Sequence, residues 1–387
     1  MDLNAPLVLL GGLSPAAFMR RHWQKRPLRV RQAWPGAAPP LARPALFDLA
    51  GRDGVESRLV ERVAGAPAGG WRLRHGPLAR RTLPPLSRAG WTLLVQGLDL
   101  HVPAARAMLD RFAFVPHARL DDLMVSWASD AGGVGPHVDS YDVFLIQLEG
   151  RRRWRVGRVR DDSLAPGLPL KILQRFEPEH DWLLEPGDML YLPPRWGHDG
   201  VAEGACMTAS VGFRAPARDE LARELLLRLA EDLPDDPRLY ADPSQAATAT
   251  PGRLPAAMAD FAADALRRVL ARLQAGAGGH ALGSAVGEWL TEPKPNTWFE
   301  PADAPVPAGL ALRLDPRTRM LYDDRHVFIN GESWRTAGSD ARVLRGLADT
   351  RRLPAAARRR LGSEAAAVID EWCEAGWLRQ DDEEVER

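Results

Sequence analysis

Cysteine is almost absent: Cys206 and Cys373 are the only two in 387 residues, they lie far apart and they form no CxxC pair. A disulfide framework and a thiolate zinc site are therefore excluded, and any bound metal must be held by nitrogen and oxygen. Lysine is nearly as scarce, present only at Lys25, Lys171 and Lys294, so arginine carries the positive charge. Neither sign is in excess, with 51 basic side chains against 51 acidic ones. That balance argues against wholesale coating of nucleic acid, and direct nucleic-acid binding is not expected, although a local basic stripe can hide inside a neutral total. No stretch approaches the roughly 20 uninterrupted apolar residues of a membrane span, so no membrane association is expected. The opening MDLNAPLVLLGGL has no basic region ahead of its apolar run, unlike a secretory signal, which makes the cytoplasm the expected location.

What is present describes a folded protein of two or three domains: 45% hydrophobic and 26% charged residues, within the ordinary range of globular chains. Residues 1–216 start with a helical run (SPAAFMRRHWQ). Short strand-like runs follow: LMVSWAS, HVDSYDVFLIQLEG, RRRWRVGRV, DWLLEPGDMLYLPP and CMTASVGFRA. Punctuation by EG, PGD and PP suggests an antiparallel barrel or double sheet. Over 217–293 the apolar spacing becomes helical, in DELARELLLRLAEDL, LPAAMADFAADALRRVLARLQ and ALGSAVGEWL. The apolar stripe between Glu220 and Leu290 predicts a homodimer. Over 294–387, short strands in LALRLDPRTRMLYDDRHVFING precede two helices and an acidic tail, an α+β unit that fits a winged helix.

The segment GGVGPHVDSYDVFLIQLEGRRRWRV carries the most chemistry. In a strand, residues two apart project to the same side, so His137 and Asp139 can serve one ion. EPGDMLYLPPRWGHDG supplies a third ligand, His198, after a returning strand. Two histidines and one carboxylate form the facial triad of non-haem iron oxygenases, which leaves three coordination positions open. An HxD tripeptide alone is often accidental; the glycine-rich approach and the downstream histidine distinguish this one. His22, His75, His101, His117, His180, His280 and His326 show no such arrangement and read as surface or structural residues.

A dicarboxylate co-substrate also needs a buried cation. If Trp154 and Val156 face the interior, alternation turns Arg152 inward with them and sends Arg151, Arg153 and Arg155 to solvent. A guanidinium fork matches a carboxylate, and an unpaired buried guanidinium would be costly. Arg152 is thus the candidate for the distal carboxylate of 2-oxoglutarate; a structural ion pair with a protein carboxylate is the alternative.

These motifs, together with FMRRHWQKRPLRVRQAW, DDLMVSWAS and SVGFRAP, resemble the bacterial JmjC/cupin-type ribosomal oxygenases, particularly the arginine hydroxylases of large-subunit ribosomal protein L-sixteen. The likeness covers most of the first 216 residues. It implies an α+β multidomain fold: a double-stranded β-helix (JmjC/cupin jelly roll), a helical dimerisation segment and a C-terminal winged-helix-like domain. It implies Fe(II) on His137, Asp139 and His198, with 2-oxoglutarate and O2 as co-substrates, Arg152 on the 2-oxoglutarate carboxylate and Ser126 beside it. The implied reaction hydroxylates the β-carbon of a ribosomal-protein arginine. Asp130 and Asp142 are expected to meet a cationic substrate. Relatives commonly carry PPGFP where this chain has PPRWG, so the rim of the site is expected to differ. The competing readings are a histidyl hydroxylase, a methyl-lysine demethylase and a non-catalytic cupin-like module that keeps a metal for structure.

Overall fold

The computed structural model of the chain describes residues 2–62, 70–231, 236–274 and 277–381, without the side chains of 272–281. The acidic tail beyond Asp381 and the His280 side chain lie outside the described residues. Two compact units emerge: Met1–Ala215 with Pro295–Trp298, and Pro216–Lys294 with Phe299–Arg387. No helix among the described residues is long and apolar enough to cross a membrane.

The first unit opens with helix α1 (Pro15–Arg21), started by Pro15 and by Ser14, whose Oγ accepts from the Ala17 N–H at 3.2 Å. Two further helices, α2 (Arg43–Leu49) and α3 (Pro103–Asp110), likewise begin with proline in their first turn. The strands are β1 (Leu28–Val30), β2 (Ser57–Arg62), β3 (Trp71–His75), β4 (Trp91–Val95), β5 (Leu120–Ala128), β6 (His137–Val138), β7 (Val143–Arg158), β8 (His180–Leu184), β9 (Met189–Leu192) and β10 (Trp196–Phe213). All ten join one antiparallel sheet in the order β1-β9-β7-β10-β5-β4-β2-β3, with β6 on β10 and β8 on β7.

Two long strands organise this unit. β7 and β10 pair along almost their whole length, from Trp196↔Arg158 to Gly212↔Val143, but the register slips between Glu203 and Met207. Gly150 sits at the slip with φ +62°, and a Cβ there would lie 2.1 Å from the Ala205 carbonyl oxygen, so only glycine fits. Beyond the bend each strand takes new partners. β7 pairs β9 before it and β8 after it, while β10 pairs β6 first and β5 later. Both strands thus serve two faces, which is the double-stranded β-helix.

This arrangement departs in detail from the sequence reading. HVDSYDVFLIQLEG and RRRWRVGRV are not two strands divided at Glu149–Gly150; they contribute one bent strand, because β10 continues to pair across the bend. His198 does follow a returning strand, β9, and it also lies in the opening of the next one, β10. A buried aromatic cluster of Phe18, Phe114, Phe144, Tyr191 and Phe213 fastens α1 to the sheet, with ring centroids 4.8–6.4 Å apart.

The second unit begins with three helices, α4 (Arg218–Glu231), α5 (Ala256–Gln274) and α6 (Ala277–Thr291). Strands β11 (Leu312–Leu314), β12 (Met320–Tyr322), β13 (His326–Ile329) and β14 (Glu332–Arg335) follow. The chain then runs through α7 (Gly338–Thr350), β15 (Arg352–Leu353), α8 (Ala355–Arg358), α9 (Ser363–Glu374) and β16 (Leu378–Gln380). Two three-stranded sheets form, β15-β11-β16 and β12-β13-β14. Leu312, Val327, Ile329, Leu344, Leu347, Ile369 and Trp372 fill the core between these sheets, α7 and α9. Helices packed on a small antiparallel sheet make this the winged-helix domain.

Candidate metal and co-substrate site

β6 exists only because two residues, His137 and Val138, pair with the start of β10. Within that pairing His137 stands directly opposite His198, and the two rings lie 4.2 Å apart between centroids. The Nδ1 atom of His137 is 2.9 Å from the Gly135 carbonyl, and that of His198 is 3.1 Å from the Trp196 carbonyl. A carbonyl oxygen only accepts, so each Nδ1 carries the proton and each Nε2 presents a lone pair. Such backbone contacts orient metal-binding imidazoles. His198 is buried, and burial pushes its imidazolium down to about 4, with His137 adding to the effect and Asp139 opposing it. Near neutral pH the ring is therefore uncharged and able to ligate.

Asp139 follows β6 rather than lying in it. Its Oδ2 is 3.6 Å from His198 Nε2, and one ligand atom from each of His137, Asp139 and His198 falls within 4.8 Å of the others. No other group of three such ligands occurs among the described residues. The Asp139 carbonyl accepts from the Arg195 N–H at 3.2 Å, tying this ligand to the turn that precedes His198. Arg195 sits there at φ +66°, a left-handed conformation that costs a residue with a Cβ and suits glycine. The glycine approach also has a steric cause: a Cβ on Gly133 would meet the Gly200 oxygen at 2.6 Å. That loop hydrogen-bonds β10 directly, from Ala131 N–H to the Ala202 carbonyl and from Ala202 N–H to the Gly132 carbonyl.

Alternation along β7 is as the sequence reading requires. Arg152, Trp154 and Val156 are buried, and Arg151, Arg153 and Arg155 are exposed. Arg152, 5% exposed, donates from one terminal nitrogen to Ser126 Oγ at 3.2 Å and to Thr208 Oγ1 at 3.4 Å. Its guanidinium lies 5.5 Å from the Trp154 ring, and that ring is 5.8 Å from His198. Among the described residues no carboxylate pairs with Arg152, although Arg153 pairs with Asp181 and Glu203, and Arg155 with Asp199. Its Nε is buried without a partner. The alternative of a structural ion pair is thereby removed, and a buried cation with donors to spare fits an anionic ligand.

Asp142, unlike Asp130, is closed off from any substrate. Asp142 is 0% exposed and accepts from Tyr191 Oη at 2.6 Å, Gln24 Nε2 at 3.0 Å and Arg119 at 3.4 Å. It anchors the chain after α1 to the sheet and is not a rim residue. Asp130 is exposed, and one of its oxygens accepts from the Gly204 N–H at 2.8 Å. Thr208 and Gln147 were missed: Thr208 Oγ1 donates to Gln147 Oε1 at 3.0 Å, which leaves its lone pairs for Arg152. They are polar positions in runs whose neighbours are apolar, a weak signal that only the β7–β10 pairing makes specific.

Known proteins bear on this geometry. The JmjC domain family matches residues 107–221, which contain Ser126, His137, Asp139, Arg152 and His198. The ROXA-like winged helix family matches residues 280–379. The ribosomal protein uL16 3-hydroxylase of Escherichia coli (strain K12) is 43% identical over 206 residues, 53% of each chain. A probable ribosomal oxygenase of Haemophilus influenzae is 37% identical over 207 residues, covering 53% of this chain and 50% of the other. The matched segment spans about half the length of these curated relatives. An X-ray structure of E. coli YcfD is similar over 94% of this chain and 97% of that one, with a TM-score of 0.78 and 31% identity. YcfD in complex with cobalt and 2-oxoglutarate matches at a TM-score of 0.74. Fold and site together define a JmjC-class protein with a double-stranded β-helix and a winged helix. The chain belongs to the ribosomal oxygenase family.

Proposed function

We propose that this protein is an Fe(II)- and 2-oxoglutarate-dependent hydroxylase of a ribosomal protein, acting on the β-carbon of an arginine in large-subunit protein uL16. The observation that carries the reading is the pairing of a two-histidine, one-carboxylate cluster with a buried guanidinium that lacks a counter-ion among the described residues. His137, Asp139 and His198 would hold the iron through two Nε2 atoms and a carboxylate oxygen. Arg152, with Ser126 and Thr208, would hold the distal carboxylate of 2-oxoglutarate. When bound, iron with 2-oxoglutarate and O2 supplies the oxidant: one oxygen atom ends in succinate as carbon dioxide leaves, and the other enters a substrate C–H bond. The chain's own part is to bind, orient and keep dry. The carbonyls of Gly135 and Trp196 fix both imidazoles, Trp154 walls the space beside His198, and no proton-transferring side chain is required.

The name of the E. coli relative supports the uL16 substrate. Asp130, exposed on the loop that leads to His137, is the residue we assign to the cationic substrate. We assign 1–216 to the oxygenase domain, 217–293 to a dimerising helical region and 294–387 to the C-terminal domain, and we place the protein in the cytoplasm, where ribosomes are. Dimerisation is supported by α5, which exposes Met258, Phe261, Leu266 and Leu270. The test is succinate formation with a uL16 peptide, read together with the peptide's mass. A gain of one oxygen atom on arginine, dependent on iron and 2-oxoglutarate, is expected; an unmodified peptide with active, iron-loaded protein overturns the substrate assignment.

A further inference from the structure

The winged-helix domain contains a cavity of about 530 Å3 bounded by Arg325, Arg335, Arg342 and Arg345, with Asp324 and Thr336. Local structure gathers these side chains. β13 and β14 pair His326 with Arg335, and the Thr336 N–H donates to the Arg325 carbonyl at 2.7 Å. Arg342 and Arg345 stand three residues apart on α7, hence on one face. Arg345 is fixed by its bond to the Asp324 carbonyl at 2.8 Å and by the Tyr322 ring 5.6 Å away. Its Nε and Thr336 Oγ1 are buried with no partner. Arg335 and Arg342 are exposed, and no carboxylate pairs with either among the described residues.

The neighbouring carboxylates are committed elsewhere. Asp323 accepts from the N–H groups of Arg325 and His326, Asp340 from Gly362 N–H, and Asp349 from Tyr322. Among the described residues, Asp324 is the one carboxylate that lines the cavity. α7 adds to the field, for its N-terminus abuts the cavity and has no side-chain cap. So strong a local excess in a chain of zero net charge attracts an anion, and arginine forks suit phosphate oxygens. Among the described residues no aromatic ring lines the cavity, so it offers no aromatic platform for a base. Outside the cavity Arg317, Arg352 and Arg358 are held by Asp315, Asp381 and Asp370. The cavity's two exposed arginines, Arg335 and Arg342, can each take one phosphate of a backbone, which a single small anion does not offer.

We propose that this cavity binds the phosphodiester backbone of RNA, without reading its sequence. Choosing RNA over DNA rests on the proposed ribosomal substrate, which would bring the protein against ribosomal RNA. The sequence-level expectation of no nucleic-acid contact came from the total charge, which conceals this cluster. The test is fluorescence anisotropy of the full chain with a labelled hairpin RNA across a salt series. The R335E/R342E and R335Q/R342Q variants, a DNA hairpin of the same sequence and competition by inorganic phosphate complete the set. Both variants are expected to bind RNA at least about tenfold more weakly at low salt. The slope of log affinity against log salt should flatten by about 1.4–1.8, the loss of two phosphate contacts. Wild-type protein that does not bind RNA, variants with unchanged affinity and slope, or tighter binding of the DNA hairpin would each overturn the proposal. So would full displacement of RNA by millimolar phosphate, the mark of a small-anion site. Hydroxylation of a free uL16 peptide is measured in parallel; if it persists while RNA fails to bind, this inference falls and the proposed function stands.

Discussion

Arg152 concentrates the chemistry of the co-substrate end in one side chain. It is buried beside Ser126, Thr208 and Trp154 with no carboxylate partner among the described residues, and a charge in that position is destabilising until an anion arrives. Arg152→Lys keeps the charge but loses the planar fork. The KM for 2-oxoglutarate should rise by about 10- to 100-fold, the equivalent of roughly 1.4–2.8 kcal/mol, with a much smaller change in the KM for peptide. Steady-state kinetics with each substrate varied in turn checks this. Arg195 makes a different case, since its φ of +66° opposes its residue type. Arg195→Gly should raise stability by about 0.5–1 kcal/mol, read as a higher Tm with turnover preserved. At this scale the sequence is legible where spacing alone suffices: HxD, a later histidine, and alternation that turns Arg152 inward. Thr208 and Gln147 were hidden as site residues because their roles arise from pairing across about 60 residues of chain.

Among the elements, β10 does the most to assemble the site. Its first residues carry His198 opposite His137, its middle passes the glycine loop, and its far half brings Thr208 beside Ser126. Close approach is the condition for that. A Cβ on Gly200 would lie 2.6 Å from the Trp154 ring. Gly200→Ala should therefore displace Trp154 and cost about 1–3 kcal/mol, with weaker 2-oxoglutarate binding, measurable by urea unfolding and by titration of the folded variant. The sequence marks glycines and turns but not which of them end a strand. Gly150 reads as a turn between two strands, yet it only bends β7, because pairing with β10 resumes past it. Helices fared better: the periodic runs after Pro216 form α4, α5 and α6 where expected, since 3.6-residue spacing is a local property.

At the level of the whole molecule, the apolar residues exposed on α5 need a partner if they are to leave water. Replacing Leu266 and Leu270, 62% and 44% exposed, by glutamate should convert a dimer into a monomer in light scattering while the metal centre still loads. A wild-type monomer at micromolar concentration would remove the dimer from the proposal. The winged helix was legible as a small α+β unit, but its arginine cavity was not, because Arg325, Arg335 and Arg342 converge only through the β13–β14 hairpin and α7.

The most direct measurement of the central proposal is turnover by an Asp139→Ala variant that circular dichroism shows to be folded. Removing the carboxylate leaves two imidazoles for the iron. Succinate formation and oxygen incorporation into the uL16 peptide should both fall at least about 100-fold, with the fold and the peptide-binding surface intact. Iron-dependent turnover of Asp139→Ala at the wild-type rate would contradict the assignment of His137, Asp139 and His198 as the metal centre.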